Sequence, residues 1–209
     1  MFVSRIRVMD ELLANKIAAG EVVEKCASVV KELVENSIDA KSKTIIVNLK
    51  ESGTKSIQVM DDGVGMDHDD ALLSFKRHAT SKIKKEDDLF FISTLGFRGE
   101  ALPSIASVSK VDLYTSTGDA GTHIQINGGK LEIDESSPAK KGTLIEVRDL
   151  FYNTPARLKY LKSDVTELSN VTTYIEKLAL SHPDISFTLT NNDKRIVFTS
   201  GSDDLLKTI

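Results

Sequence analysis

A chain of 209 residues, 40% hydrophobic and 28% charged, has globular composition and enough apolar material for a real core, which excludes a disordered or fibrous reading. It contains no apolar run of about 20 residues that could cross a bilayer, and its single cysteine, Cys26, excludes an intrachain disulfide and a zinc-finger cluster. The net charge of −4 and pI near 5.6 lack the basic excess of a domain that grips DNA phosphates, so composition gives no support to direct DNA binding.

The length predicts one domain. Residues 1–10 lack the apolar core and cleavage site of a signal peptide, and the lone cysteine suits a reduced cytosolic setting. Residues 10–19 read as a short helix with Asp10 as N-cap and Gly20 as its stop. A second helix is predicted over 28–40, where Val30, Leu33, Val34 and Ile38 form one apolar stripe. Residues 44–50 and 55–61 alternate like strands around Ser52-Gly53, predicting a hairpin. Residues 67–76 suggest a helix capped by Asp67. Residues 77–97 are polar without clear periodicity, as expected of a functional lid or a disordered segment. A helix is predicted over 100–108. Short strands follow over 111–147, separated by turns at Gly118-Asp119, Gly128-Gly129 and Ser136-Ser137-Pro138. The longest helix is expected over 165–180, and a final hairpin over 185–190 and 194–199 turns at Asn191-Asn192-Asp193. Helices first and antiparallel strands in bulk predict an α+β fold, a two-layer sandwich with helices on one face of a mixed, mostly antiparallel sheet.

Three clusters could carry chemistry. In the second helix Glu32 and Asn36 are four apart and share a face, with Asp39 close by, opposite the apolar stripe. Read alone this is an ordinary solvated face, but asparagine is a poor helix-interior residue unless its side chain has work elsewhere. A carboxylate one turn from an amide oxygen could hold a water beside a magnesium ion. The second cluster is Asp61-Asp62-Gly63-Val64-Gly65-Met66 after a strand. A carboxylate there can accept from an exocyclic amine, and the glycines let backbone approach a flat ring; the plain alternative is a simple turn. The third is Gly96 to Leu102, a glycine-flanked loop opening a helix, with free amides and Arg98 suited to phosphate; the plain alternative is an ordinary helix N-terminus. Arg77, His78, Thr80, Ser81 and Lys82 add cations and hydroxyls. A P-loop is absent, the four histidines lack metal-ligand spacing, and Cys26 reads as a buried structural thiol.

The order of these clusters, followed by Gly142-Thr143 on a strand, resembles the ATPase superfamily shared by DNA gyrase B subunits, heat-shock chaperones, sensor histidine kinases and MutL. GFRGEAL at residues 96–102 and LFYNTPAR at 150–157 resemble the MutL family of mismatch repair proteins in particular. NKIAAGEVVEK (15–25) and ASVVKELVENSIDA (27–40) are similar to that family's N-terminal segment, so the resemblance spans essentially the whole chain. One departure is Cys26, where the family usually has proline; the exchange is expected to loosen the start of the helix slightly.

The resemblance implies a Bergerat-type ATP-binding fold and a role for each position. Glu32 would be the general base on the attacking water. Asn36 would coordinate magnesium across the phosphates. Asp61 would accept from the adenine amine, with Gly65 and Met66 at the base and Thr143 in support. Thr80, Ser81, Lys82, Gly96, Phe97, Arg98, Gly99, Glu100, Ala101 and Leu102 would wrap the phosphates as the lid closes. It further implies a following transducer domain that supplies a lysine to the γ-phosphate and a C-terminal dimerisation region, both outside this single N-terminal domain. The chain is therefore expected to bind ATP with magnesium but hydrolyse it slowly by itself. The implied partners are a second copy in an ATP-dependent dimer, a MutS-type mismatch sensor, and DNA through the full-length protein, with no membrane. The implied location is the bacterial cytoplasm, acting at the nucleoid. The competing reading is a docking module that makes little use of ATP; retention of Glu32 speaks against it. A gyrase or kinase relative is disfavoured by GFRGEAL and LFYNTPAR.

Overall fold

The computed structural model describes residues 8–83, 85, 94–96 and 99–204. Its framework is one eight-stranded sheet: β1 (Thr44–Lys50), β2 (Ser56–Asp61), β3 (Lys110–Ser116), β4 (Gly121–Asn127), β5 (Lys130–Ser137), β6 (Gly142–Arg148), β7 (Ser186–Asn191) and β8 (Lys194–Phe198). The spatial order is β5-β4-β3-β6-β2-β1-β7-β8, and only β1 and β7 run parallel. The helices are α1 (Glu11–Val22), α2 (Cys26–Asp39), α3 (His68–Leu73), α4 (Ala101–Ser107), α5 (Pro155–Leu158) and α6 (Asp164–Ser181). Among the described residues, no helix is long and apolar enough to cross a membrane.

The strand alternation decides which face is buried. Ile45, Val47 and Leu49 of β1, Ile57 and Val59 of β2, Val111 and Leu113 of β3, and Phe187 and Leu189 of β7 all point into one core with the helices. Each large apolar side chain buried there contributes about 1.5–3 kcal/mol. The predicted α+β sandwich, with helices on one face of a mixed sheet, is the fold observed.

Several local readings need correction. Helix α1 runs through Gly20 to Val22 instead of stopping there. Helix α2 begins at Cys26, two residues before the predicted start, because Cys26 and Ala27 are already buried. The cysteine does not loosen this end: its backbone N–H donates to the buried carboxylate of Glu167 at 3.1 Å, a bond proline could not make. Burial and the neighbouring Glu167 push the Cys26 thiol far above its ordinary pKa, which suits a structural role. Helix α2 is also buried on more than one stripe. It packs on β1 and β2 on one side and on α6 on another, where Tyr174 donates to Glu35 at 2.9 Å. Finally, Ser136 and Ser137 belong to β5, so the turn before β6 starts at Pro138.

Candidate functional site

A cavity of about 1010 Å³ opens where the ends of α2 and β2 meet the start of α4. Asp61 ends β2 on its helix-facing side, since it pairs with Ile45 of β1 and with Thr143 of β6. Its carboxylate is fixed from two directions. Ser37 Oγ of α2 donates to Oδ2 at 2.8 Å, and the Gly63 amide donates to Oδ1 at 2.9 Å. The result is an oriented, acceptor-only group in the cavity wall.

The chain then turns sharply through residues 62–66. Gly65 has φ +70, and a Cβ there would lie 1.9 Å from the carbonyl oxygen of Ser116. Glycine is therefore demanded by the fold itself, at the contact with the end of β3. Gly65→Ala is expected to cost at least about 1–3 kcal/mol from backbone strain alone, before the clash is counted. A thermal melt at the wild-type midpoint would show that the turn relaxes freely and would sink this account. Beyond the turn, the Met66 amide donates to Thr115 Oγ1 at 2.9 Å, and Thr115 Oγ1 lies 3.1 Å from Thr143 Oγ1. Thr115 thus locks the turn to the two strands beside it.

Helix α2 presents Glu32, Asn36 and Asp39 along the cavity, not on an outer solvated face. Glu32 pairs with Lys31 at 3.1 Å, and Lys31 also reaches Glu35 at 3.3 Å. Burial works against the Lys31 charge, but the two carboxylates outweigh it and hold its pKa above the ordinary lysine value. At the far end of the helix Asp39 gathers groups from outside α2. Lys82 Nζ contacts its Oδ2 at 2.5 Å and Asn36 Oδ1 at 3.0 Å, while the Leu95 and Gly96 amides donate to it at 3.1 and 3.2 Å.

Of the sequence-predicted residues, Glu32, Asn36, Asp61, Gly65, Met66, Thr80, Ser81, Lys82, Gly96, Gly99, Glu100, Ala101, Leu102 and Thr143 all line this one cavity. Phe97 and Arg98 lie outside the described residues. Sequence reasoning missed Ser37, Asp39's bonds to Lys82, Leu95 and Gly96, and Glu21 and Val22 of α1, which also line the wall. Ser37 carried a usable signal, a small hydroxyl beside Asn36 on the helix that packs against β2. Thr115 had none, because its part depends on the β3–β6 register.

An eight-stranded mixed sheet, a glycine turn after an oriented carboxylate, and an asparagine-bearing helix across the cavity define a class of nucleotide-dependent ATPases. The chain belongs to the histidine kinase-, DNA gyrase B- and HSP90-like ATPase family, whose model matches residues 24–154. Within it the chain is similar to MutL. It is 58% identical to the DNA mismatch repair protein MutL of Geobacillus sp. (strain WCH70) over 96% of this chain and 33% of that one. It is 56% identical to that of Bacillus mycoides (strain KBAB4) over 96% of this chain and 31% of that one. The chain therefore spans about a third of the length of these relatives. Among solved structures, the Aquifex aeolicus MutL ATPase domain complexed with ADP matches with a TM-score of 0.70 and 32% identity, over 90% of this chain and 68% of that one. The N-terminal domain of a DNA repair protein matches with a TM-score of 0.79 and 28% identity, over 93% and 58% of the two chains.

Proposed function

We propose that this domain binds ATP with magnesium and hydrolyses it slowly, and that binding drives N-terminal pairing of two copies of a DNA mismatch repair mediator. The observation that carries the reading is Asp61, fixed by Ser37 and Gly63 as an acceptor in the cavity wall with Thr143 beside it in register. An acceptor there suits the adenine amine, whereas guanine offers a carbonyl and would leave two acceptors facing each other.

The cation end fits as well. Asn36 Oδ1 and the Asp39 carboxylate together hold the Lys82 ammonium, so this corner of the cavity is built for positive charge. Asn36 supplies one neutral oxygen, a donor set suited to magnesium, which keeps several waters and takes its remaining ligands from substrate phosphates. Bound there, magnesium would neutralise phosphate charge. Lys82 would exchange Asn36 and Asp39 for phosphate oxygens, bringing the lid with it, together with Thr80, Ser81 and the loop from Gly96 to Leu102. Glu32 would orient and deprotonate the attacking water.

In the full-length protein the paired domains would work with a MutS-type mismatch sensor and with DNA, in the bacterial cytoplasm; the acidic balance gives no support to a DNA contact made by this domain itself. The test is calorimetric titration with ATP and with GTP, each with and without magnesium. Magnesium-dependent ATP binding with GTP much weaker is expected. If neither nucleotide binds the domain, nor a longer chain carrying the following domain, the nucleotide reading is wrong.

A further inference from the structure

None of the LFYNTPAR residues, 150–157, lines the cavity. They are tied instead to two helices that do. Asn153 Nδ2 donates to the carbonyl of Ser107, the last residue of α4, at 2.9 Å. Arg157 Nη2 donates to the carbonyls of Lys16 and Ile17 in α1 at 2.9 and 3.4 Å. Phe151 anchors the segment: it is fully buried, and its amide donates to Val108 at 2.7 Å. Arg157 Nη1 is buried without a hydrogen-bond partner, so the α1 carbonyls carry the guanidinium's contacts.

Gly20 explains how the guanidinium reaches the backbone of α1. A Cβ at this position would lie 2.3 Å from Arg157 Nη2 and 3.0 Å from Cζ. The next two residues, Glu21 and Val22, are the part of α1 that lines the cavity, while α4 brings Ala101, Leu102 and Pro103 to it. A carbonyl oxygen has two lone pairs, so it can take the guanidinium without giving up its helix bond. Such charge-assisted bonds are the strong ones.

We propose that Arg157 is a positioning residue for nucleotide binding: with Asn153 it clasps α1 to α4, and Gly20 is the notch that admits it. The wall formed by Glu21 and Val22 is thereby fixed from outside the cavity. This rests on the nucleotide reading of the site.

The test compares Gly20→Ala, Arg157→Ala, Arg157→Lys and the double variant Gly20→Ala/Arg157→Ala. In a helix without the clasp, alanine for glycine is favourable, so a notch with no role predicts unchanged or tighter behaviour. The clasp predicts that Gly20→Ala and Arg157→Ala each weaken ATP binding about tenfold, the scale of losing a hydrogen bond from a charged donor. Each would also speed amide exchange over residues 16–22, with the strands still protected as in the wild type. Arg157→Lys keeps the charge but loses the planar fork, and falls between. The double variant is no weaker than Arg157→Ala, since the methyl group occupies space the guanidinium has left. Wild-type affinity and wild-type exchange in Gly20→Ala overturn the clasp, and that arm decides alone if Arg157→Ala unfolds. Failure of the wild-type chain to bind ATP overturns the nucleotide reading instead, and the exchange comparison, which needs no ligand, still judges the clasp.

Discussion

Asp61→Asn is expected to weaken ATP binding by roughly ten- to a hundredfold and to shift the balance towards GTP, the scale of 1–3 kcal/mol for a mispaired buried polar group. The substitution preserves shape. The amide oxygen can still accept from the Gly63 N–H, as Oδ1 does at 2.9 Å. The NH2 group then takes the place of Oδ2, where Ser37 Oγ now donates at 2.8 Å. The serine hydroxyl can rotate to accept, so the fold loses little. The cavity, however, now meets a donor where it had an acceptor. An adenine amine faces a second donor, while a guanine carbonyl finds a partner. Paired titrations with ATP and GTP, beside a thermal melt to confirm the fold, measure this directly. An unchanged ATP affinity and an unchanged ATP-to-GTP ratio would show that Asp61 does not read the base.

The same residue marks the limit of sequence reading. The β1–β2 hairpin was legible because Ile45, Val47 and Leu49 recur at every second position, Thr44, Asn48 and Lys50 supply polar residues on the other face, and the strand meets a neighbour of matching period. Asp61 at its end was legible for the same reason. What fixes Asp61 was less so: Ser37 meets it only because α2 lies across β2, 24 residues away in the chain. Thr115 is further from view. It joins the turn at Met66 to Thr143, and nothing local in β3 announces that contact.

Gly20 shows the converse error. A glycine near the end of an apolar run reads locally as a stop, yet here it lies inside α1, with the Arg157 guanidinium, 137 positions later in the chain, in the space beside it. Cys26 was misjudged on similar grounds. Its weakness as a helix starter is a local property, whereas its N–H is held by Glu167 of α6, 141 residues away. The parallel pairing of β1 with β7 belongs to the same class, since the final hairpin is local but its place in the sheet is not.

Glu32→Gln in the full-length protein should leave nucleotide binding intact and lower turnover by about 10²–10⁴, the usual contribution of a positioned general base. The geometry favours a clean separation of the two effects. Glu32 lies one turn before Asn36 on α2 and lines the same cavity, yet its hydrogen bond is to Lys31, not to any group that shapes the base or phosphate ends. Glutamine keeps the size of the side chain and can still accept from the Lys31 ammonium, so the cavity wall should hold its form. What it cannot do is take a proton from water. Lys31 would still be held by Glu35 at 3.3 Å. Single-turnover hydrolysis and equilibrium nucleotide binding, measured on the same preparation, separate the base from the binding site. Loss of turnover with binding unchanged would assign the base to Glu32 and favour the proposed ATP-driven switch. Equal turnover in the variant would remove Glu32 from the chemistry and favour the docking reading, in which the retained cavity serves partners and ATP is hydrolysed little or not at all.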